Sequence, residues 1–317
     1  MKASLRAPRL LSVGSVVADV SIQGLKRFPL PDTEFSDRSD VEHDRPARLL
    51  LGGTASNTAM VYAALTGSCQ LGGVVADDWF GNFLVQGLTA RHVAIVGQRG
   101  GATATHTIAL GINGERQAYW YPGTPLDVQA LLAEWIPSHV FLTGINLCFA
   151  RPLVESARAL GQAAHAVGSL AILDIGQGGP GALNLDEITT IATDMDLLIG
   201  SETEFAAVLG CDYMQGREIL RERFGGPVVL KLGARGAVVD PEPRGDLQCI
   251  PGYPTSAVNP IGAGDAFAGG FLSGWLGSLN LEESCRRGNA AGSISVGSVF
   301  GPQDVTKVAV DCVQEVC

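Results

Sequence analysis

From residue 125 onward the sequence alternates between short apolar runs and longer amphipathic stretches, and this alternation restricts the fold more than any other feature. The apolar runs predict strands at 139–143, 170–174, 197–199, 228–231 and 237–239. The stretches between and after them predict helices near 126–134, 151–166, 186–193, 203–209, 215–224, 264–278 and 281–296. Such alternation is typical of βαβ units, in which helices cover both faces of a mainly parallel sheet. We therefore predict an α/β protein whose ligands bind at the carboxyl ends of its parallel strands.

Two polar segments interrupt this pattern in the N-terminal half. Around them, residues 10–18 and 70–75 predict strands, and residues 57–66 and 79–91 predict helices. The polar, proline-containing stretch at about 23–48 is expected to project from the core as a flap. The second polar stretch predicts strands near 104–110 and 116–121 around Asn113 and Gly114, a dipeptide typical of hairpin turns.

Charge and composition exclude several classes of protein. The 317 residues carry a formal net charge of −10, which would repel a nucleic-acid backbone, so no nucleic-acid partner is expected. No stretch reaches the roughly 20 apolar residues that a membrane helix needs, so no membrane association is expected either. The seven cysteines are scattered and form no CxxC pair, which favours reduced thiols over disulfides or a metal cluster. These features indicate a cytoplasmic protein.

A glycine-rich turn precedes one of the late helices, in the segment 259–276, NPIGAGDAFAGGFLSGWL. Gly262, Ala263 and Gly264 would present backbone N–H groups and the positive end of the helix dipole to an anion such as a phosphate. Asp265 could accept a proton from an attacking hydroxyl group, or it could simply cap the helix. Taken alone, the segment fits a capped structural helix as well as it fits a phosphate site.

Two long motifs resemble the signatures of one known family. Residues 262–270, GAGDAFAGG, resemble the second signature of the ribokinase-like (PfkB) carbohydrate kinases, and residues 52–59, GGTASNTA, resemble the first. Four shorter matches occur in the family's order. Residues 14–19, GSVVAD, resemble the family's opening strand, which ends in a substrate-binding Asp, and residues 78–81, DWFG, resemble the turn after its third strand. Residues 231–236, KLGARG, resemble its nucleotide loop with Lys in place of Thr, and residues 288–291, GNAA, resemble the helix segment near the adenine. The resemblance spans roughly residues 10 to 302.

This resemblance implies a fold and an activity. The fold is a single ribokinase-like α/β domain over residues 1–317, with a mainly parallel central sheet flanked by helices and a small β-lid formed by segments at about 20–51 and 103–122. The lid would close over the substrate and exclude water. The activity is transfer of the γ-phosphate of ATP to a hydroxyl group of a sugar or sugar-like small molecule, which includes nucleosides.

The same resemblance assigns site residues. Asp265 would be the catalytic base, and the backbone of Gly262, Ala263 and Gly264 would form with it an anion hole for the transferred phosphoryl group. Substrate hydroxyl groups would be held by Asp19, Gly52, Gly53 and Asn57. The ATP site would be lined by Lys231, Gly233, Gly236 and Asn289.

Several of these residues also have a purely structural interpretation. Gly53 could serve an unusual backbone conformation, and Asn57 could cap the following helix. Asp19 could be a turn residue at a strand end, and Lys231 could be a solvated charge. The two loop glycines, Gly233 and Gly236, could serve only their turn.

The sequence departs from the family pattern at two positions that concern cations. The NxxE motif, which helps to organise Mg²⁺ through water, is here Ser201 to Glu204, SETE. We expect Mg²⁺ to be retained as a cofactor, with Glu204 acting through water and Ser201 contributing weakly. Asn259 replaces an Asp that often helps to bind a monovalent cation, so we expect weak or absent dependence on K⁺.

The sequence indicates the identity of the phosphate-accepting molecule less directly than it indicates the fold and the reaction. Ribokinases carry Lys where this chain has Thr54, which disfavours ribose itself. Residues 114–123 resemble the lid of 2-keto-3-deoxygluconate kinases, but Pro122 stands where those enzymes often place Arg, and no basic residue follows Asp174. We therefore favour a neutral sugar or a nucleoside over a sugar acid or a sugar phosphate.

Further alternatives remain open. One is a kinase of a sugar acid such as 2-keto-3-deoxygluconate, and another is a sugar-sensing regulatory protein without turnover. The aromatic run Tyr119, Trp120 and Tyr121 could stack on a substrate ring or could be an ordinary hairpin packing face. An exposed lid edge also offers a surface through which two copies could pair as a homodimer.

Overall fold

A computed structural model describes residues 9–25, 46–112, 116–135, 138–176, 181–241 and 246–316. Its strands are β1 (Leu10–Gly14), β2 (Val17–Leu25), β3 (Arg48–Gly52), β4 (Cys69–Gly72), β5 (Val93–Val96), β6 (Ala104–Gly111), β7 (Arg116–Tyr121), β8 (His139–Thr143), β9 (Ala171–Asp174), β10 (Leu197–Ser201), β11 (Val228–Lys231), β12 (Ala237–Asp240) and β13 (Gln248–Ile250). Its helices are α1 (Thr54–Thr66), α2 (Trp79–Thr89), α3 (Val128–Glu134), α4 (Ile145–Cys148), α5 (Leu153–Ala166), α6 (Leu185–Ala192), α7 (Glu202–Leu209), α8 (Tyr213–Arg223), α9 (Ala263–Trp275), α10 (Leu281–Val296) and α11 (Lys307–Val316).

Nine strands form the central sheet, in the order β13-β12-β11-β10-β9-β8-β1-β4-β5. The pairs from β5 across to β11 are parallel, whereas β12 and β13 pair antiparallel at one edge. The predicted mainly parallel α/β sheet is therefore confirmed. The antiparallel edge follows from the short 3₁₀ turn Gly233–Arg235 between β11 and β12, which is too short for a parallel crossover.

Helices cover both faces of this sheet because alternate strand residues are apolar on both sides. On β1, Leu11 and Val13 face one core, which α3, α5, α6, α7 and α8 complete. Leu10 faces the other core, which is shared with α1, α2, α9 and α10. Parallel strands that are buried on both faces need such continuous apolar runs.

A separate four-stranded sheet, which we call the small sheet, has the order β3-β2-β6-β7. Its strands fall in the two segments predicted to form a lid, although β2 already begins at Val17. The expected strand over 10–18 is in fact two strands, because the chain leaves the central sheet after Gly14 and enters the small sheet at Val17. Much of the predicted flap and the expected Asn113–Gly114 turn lie outside the described residues.

Within the described ranges, none of the helices combines the length and the apolar character that crossing a membrane requires.

Candidate active site

Two consecutive glycines connect β3 to α1 and leave room for the side chain of Asp19. A Cβ atom on Gly52 would collide with the Asp19 carboxylate. Gly53 has a φ of 95°, a conformation that other residues rarely adopt. The amide of Thr54, the first residue of α1, donates a 3.0 Å hydrogen bond to the hydroxyl of Ser15. The glycine pair thus places Asp19 beside the start of α1.

Asp19 lies within β2, so its interpretation as a turn residue is wrong. Its side chain is 15% exposed, and its Oδ1 lies 3.7 Å from Nδ1 of His106 on β6. Burial raises the pKa of Asp19 from 3.8 to about 7. When ionised, this carboxylate can accept hydrogen bonds from hydroxyl groups.

The glycine-rich turn starts α9, as predicted, but Asp265 does not cap it. The N-cap is Gly262, in the left-handed region with a φ of 79°, and no side chain caps this end. Asp265 lies in the first turn, where Oδ2 accepts a 2.8 Å hydrogen bond from Nδ2 of Asn57 on α1. The hydroxyl of Thr58 donates to the Asp265 carbonyl oxygen at 3.2 Å. The side chain of Asn57 therefore joins two helices and does not cap its own.

Asp265 has a pKa suited to proton transfer near neutral pH. Burial raises this pKa from 3.8 to about 7, while the hydrogen bond from Asn57 and the charge of Lys231 oppose the rise. The carboxylates of Asp174 and Glu204 contribute to the rise, and about 7 is the resulting pKa of Asp265. A carboxylate tuned in this way is half ionised near neutrality and can accept a proton efficiently.

Lys231, at the end of β11, is held in a buried ion pair and is not a solvated charge. Its Nζ lies 2.8 Å from Oδ2 of Asp174, at the end of β9, and 3.8 Å from Oε2 of Glu204. The side chains of Lys231 and Asp174 are only 12% and 4% exposed. Burial alone would lower the pKa of Lys231, but the neighbouring carboxylates outweigh it and raise this pKa above its usual value. Nζ also lies 3.6 Å from where a Cβ of Gly264 would be, so the ammonium group borders the start of α9.

A cleft of about 580 Å³ opens beside this helix start. It is lined by Lys231, Gly233, Ala234, Gly236, Gly252, Tyr253, Pro254, Thr255, Ala257, Pro260, Ala263, Gly264, Phe267, Asn289, Gly292, Ser293 and Val296. All four residues predicted to line the ATP site are among them. The side-chain Nδ2 of Asn289 donates to the carbonyl oxygens of Ile250 and Pro251 at 3.3 and 3.0 Å, so it fixes one wall of the cleft.

Ser201 and Glu204 form a capping box at the start of α7. The Ser201 hydroxyl accepts from the Glu204 amide at 3.2 Å, and Glu204 Oε2 accepts from the Ser201 amide at 2.5 Å. Among the described residues, no cluster of three or more His, Cys, Asp or Glu side chains could hold a metal ion. Glu204 Oε2 lies 3.8 Å from Nζ of Lys231, which lines the cleft, and a carboxylate is a ligand type that Mg²⁺ accepts.

The aromatic run on β7 divides between the two faces of the small sheet. Trp120 pairs with His106, which pairs with Asp19, so these three side chains share one face. Because neighbouring strand residues point to opposite faces, Tyr119 and Tyr121 lie on the other face, where they are 63% and 51% exposed. Of the three aromatic residues, Trp120 is therefore the one on the Asp19 face.

The structure brings the predicted residues into two groups joined by the Asn57–Asp265 hydrogen bond. One group borders the cleft of about 580 Å³, and the other lies around Asp19 and the glycine pair. No motif in the sequence indicated a role for His106, Asp174 or Thr58. A polar residue at a parallel strand end could have indicated Asp174, whereas the position of His106 depends on the pairing of β2 with β6, which no local pattern specifies.

Comparison with known proteins gives consistent matches over most of the chain. A model of the pfkB family carbohydrate kinases matches residues 9–304. An ATP-dependent ribose-1-phosphate kinase of Halopiger xanaduensis is 30% identical over 294 residues, which cover 91% of this chain and 92% of that protein. A ribokinase of Haemophilus influenzae is 22% identical over 260 residues, covering 78% and 82% of the two chains.

Solved structures show the same fold. The ribokinase of Thermotoga maritima superposes with a TM-score of 0.78 at 19% identity and covers 97% of this chain and 99% of its own. The ribokinase of Arabidopsis thaliana, solved with ribose and ATP, superposes with a TM-score of 0.75 at 20% identity, covering 97% and 98%. The central sheet and its flanking helices are thus a ribokinase-like arrangement.

Proposed function

The chain belongs to the pfkB family of carbohydrate kinases, and from this premise we propose that Asp265 is the base that activates a hydroxyl group of a sugar or nucleoside for attack on the γ-phosphate of ATP. One observation carries the proposal: the first turn of α9 borders the cleft through Ala263 and Gly264, while its Asp265 carboxylate touches Asn57. A nucleotide and an acceptor would therefore meet at this turn.

The chemical step follows from these positions. The acceptor oxygen forms a bond to the γ-phosphorus while its proton passes to a carboxylate oxygen of Asp265. The bond between the γ-phosphorus and the β,γ-bridging oxygen breaks, and ADP leaves with that electron pair. Negative charge on the transferred group would be stabilised by the amides at the start of α9 and by the ammonium group of Lys231.

The remaining residues would bind and orient the two substrates. Lys231, Gly233, Gly236 and Asn289 line the cleft proposed for ATP. Asp19, Gly52, Gly53 and Asn57 would hold the acceptor by hydrogen bonds, and the small sheet would act as a lid that keeps water away from the γ-phosphate. Magnesium would neutralise phosphate charge, with Glu204 as its protein contact through water and Ser201 as a weaker one.

We propose a neutral sugar or a nucleoside as the acceptor because a carboxylate, Asp19, occupies the acceptor side. A pentose phosphate is the second candidate, since the 30% identical relative is named an ATP-dependent ribose-1-phosphate kinase. A coupled assay of ADP release with ribose, fructose, adenosine, cytidine, 2-keto-3-deoxygluconate and ribose 1-phosphate separates these classes. A kcat/KM for ribose 1-phosphate at least tenfold above the values for the neutral acceptors would replace the first candidate by the second. The same result with 2-keto-3-deoxygluconate would indicate a sugar acid instead.

The role of Asp265 is tested by Asp265→Asn, with Asp246→Asn as the matched control on the exposed surface. Loss of the base should lower kcat at least about 100-fold while ADP binding, measured by calorimetry, stays within a few-fold of wild type. The control should keep both values. An Asp265→Asn variant that turns over at the wild-type rate would remove Asp265 from the mechanism.

Pairing of two copies through the small sheet stays a prediction. Strands β3 and β7 are the outer strands of this sheet, and such edges can accept a further strand. Sedimentation equilibrium of the full chain measures the oligomeric state directly, and a monomer at assay concentrations would contradict the prediction.

A further inference from the structure

Asp174 and Lys231 end two strands of the central sheet and lie on the same face of it. Asp174, the last residue of β9, pairs with Ile199 on β10. Lys231, the last residue of β11, pairs with Ser201 on β10. Ile199 and Ser201 are two residues apart, so the side chains of both pairs lie on one face. Because Ile199 belongs to the core that is shared with α9 and α10, this is the face that carries α9.

The two charged groups meet across β10 and are shielded from water. Lys231 Nζ lies 2.8 Å from Asp174 Oδ2, and the two side chains are 12% and 4% exposed. Glu204 Oε2 lies further from Nζ, at 3.8 Å. The second oxygen of Asp174, Oδ1, accepts a 3.3 Å hydrogen bond from the amide of Gly176, so both carboxylate oxygens are engaged. The carboxylate is thus fixed in place and can in turn fix the ammonium group.

The ammonium group faces the cleft, and the carboxylate lies behind it. Lys231 borders the cleft proposed for ATP, whereas Asp174 is not among the described residues that border it. Nζ also lies 3.6 Å from the point at which Gly264, at the start of α9, would carry a Cβ. An anionic oxygen in the cleft would therefore contact the ammonium group at about 3 Å and lie roughly twice as far from the Asp174 carboxylate. Since Coulomb energy varies inversely with distance, the ammonium group is the charge that such an oxygen would meet first.

The neighbouring carboxylates restrict the range over which Lys231 acts. At longer distances the charges of Asp174 and Glu204 offset the charge of the ammonium group, so its effect is largest on an oxygen in direct contact. Lys231 would consequently contribute little to the overall attraction of a nucleotide. Its contribution would fall on the phosphoryl group that passes the start of α9.

We propose that Asp174 is a positioning residue for phosphoryl transfer, which holds the ammonium group of Lys231 against the start of α9, where it meets the transferred phosphate; this inference rests on the proposed kinase function. A lysine side chain is long and flexible, so without a partner its ammonium group would sample many positions. Groups that are in place before negative charge develops stabilise a transition state best. Asp174 therefore acts on kcat, through Lys231, and not on the binding of the acceptor.

Another buried ion pair of the same sheet provides a matched control. Asp240 on β12 lies with Oδ1 at 3.0 Å from Nη2 of Arg217, and the side chains of Arg217 and Asp240 are 13% and 5% exposed. Within the described part of the chain, Asp240 does not line the cleft. Asp240→Asn removes a buried carboxylate from an ion pair, as Asp174→Asn does. Both variants should lose stability, but only Asp174→Asn should lose turnover.

The test uses the full-length enzyme and its best acceptor. Asp174→Asn should lower kcat about tenfold and leave both the KM for the acceptor and the affinity for ADP, measured by calorimetry, within about threefold of wild type. Asp174→Glu retains the charge but moves the carboxylate by one methylene group, so it should lower kcat as well. Asp240→Asn should keep kcat within about twofold. Thermal unfolding shows which variants are folded, and either of the two Asp174 variants suffices for the comparison.

A combined variant tests whether Asp174 acts through Lys231. Lys231→Met should lower kcat about 100-fold, as the loss of a group that stabilises transition-state charge does. Addition of Asp174→Asn should then lower kcat no more than about twofold further, because the carboxylate has no ammonium group left to hold. A further tenfold loss in the double variant, or a kcat of the Asp174 variants within twofold of Asp240→Asn, would overturn the inference.

The two levels of the proposal fail differently. If wild type phosphorylates an acceptor and Asp265→Asn does not, but the Asp174 variants behave as Asp240→Asn, only the role of Asp174 is wrong. If Asp265→Asn retains full turnover, the proposed mechanism fails whatever the Asp174 variants do.

Discussion

The side-chain amide of Asn57 donates a 2.8 Å hydrogen bond to Oδ2 of Asp265, and this bond links the first turn of α1 to the first turn of α9. An N–H donor stabilises the ionised form of a carboxylate. The bond therefore opposes the effect of burial on the Asp265 pKa, which lies at about 7. In the proposed mechanism Asn57 would thus act on the base, Asp265, as well as on the acceptor.

We expect Asn57→Ala to move the acidic limb of the pH–rate profile upward. In wild type, kcat/KM should rise with pH around a midpoint near 7, where Asp265 loses its proton. Removal of the Asn57 donor raises the Asp265 pKa, so the midpoint should shift to higher pH. The profile is measured at saturating ATP, with Asn82→Ala, an exposed residue of α2, as the control. A midpoint that stays in place or falls would contradict this role.

The Lys231–Asp174 pair should matter for stability because both side chains are buried at their contact of 2.8 Å. Lys231→Met leaves Asp174 as an uncompensated buried carboxylate, which should cost about 3 kcal/mol in the free energy of unfolding. The double variant with Asp174→Asn should lose less than the sum of the two single losses. Urea denaturation of the four proteins measures this coupling.

Lys307→Met provides the comparison for an exposed pair. Lys307 contacts Asp311 one turn further along α11 and is 58% exposed, so its loss should cost less than about 0.5 kcal/mol. Equal losses for Lys231→Met and Lys307→Met would show that burial of the Asp174 pair has no energetic consequence.

Asp19 should make the protein less stable as the pH rises. In the unfolded chain this carboxyl group loses its proton near its ordinary pKa of 3.8, whereas the folded protein retains the proton up to about pH 7. Between these values the folded state binds more protons than the unfolded state, so the free energy of unfolding falls with increasing pH. Asp265 contributes in the same direction over the same range.

Asp19→Asn should therefore flatten this dependence. Relative to wild type, the variant should gain at most about 3 kcal/mol of stability between pH 5 and pH 8, because about two pH units of the Asp19 pKa difference lie in this interval. Urea denaturation at the two pH values measures the gain, and Asp246→Asn, at an exposed position, should show none. If wild type instead gained stability relative to Asp19→Asn between pH 5 and pH 8, the predicted sign would be wrong.

Periodicity predicted most elements of the fold because the buried strands are continuous apolar runs and the helices are amphipathic. It did not predict the break between β1 and β2, since residues 10–18 are buried throughout and give no sign of a change of sheet. Nor did it indicate that β12 runs antiparallel to β11, because pairing direction depends on the connection and not on the strand.

The site was predictable where a local motif carries the chemistry. The glycine pair before α1 and the glycine turn before α9 are local, and both lie where the motifs indicated. The contacts of Asp174 with Lys231 and of Asp19 with His106 join residues on different strands, 57 and 87 positions apart in the chain. Such contacts are set by strand order and register, so a single sequence contains no direct signal for them.

The hydrogen bonds of Asn259 bear on whether the enzyme depends on potassium. Asn259 accepts a hydrogen bond from the Ile261 amide at 3.1 Å through Oδ1, and its Nδ2 donates to the carbonyl oxygen of Val299 at 3.3 Å. That carbonyl therefore faces an N–H donor, and a neutral amide supplies no charge to attract a cation.

Wild-type kcat should change less than about twofold when choline chloride is replaced by KCl at constant ionic strength. The variant Asn259→Asp introduces a carboxylate and removes the donor, so its kcat should be stimulated by K⁺. Asn82→Asp, an added charge on the exposed side of α2, should behave as wild type. A many-fold stimulation of the wild-type enzyme by K⁺ would mean that the Asn259 amide does not prevent cation binding at this turn.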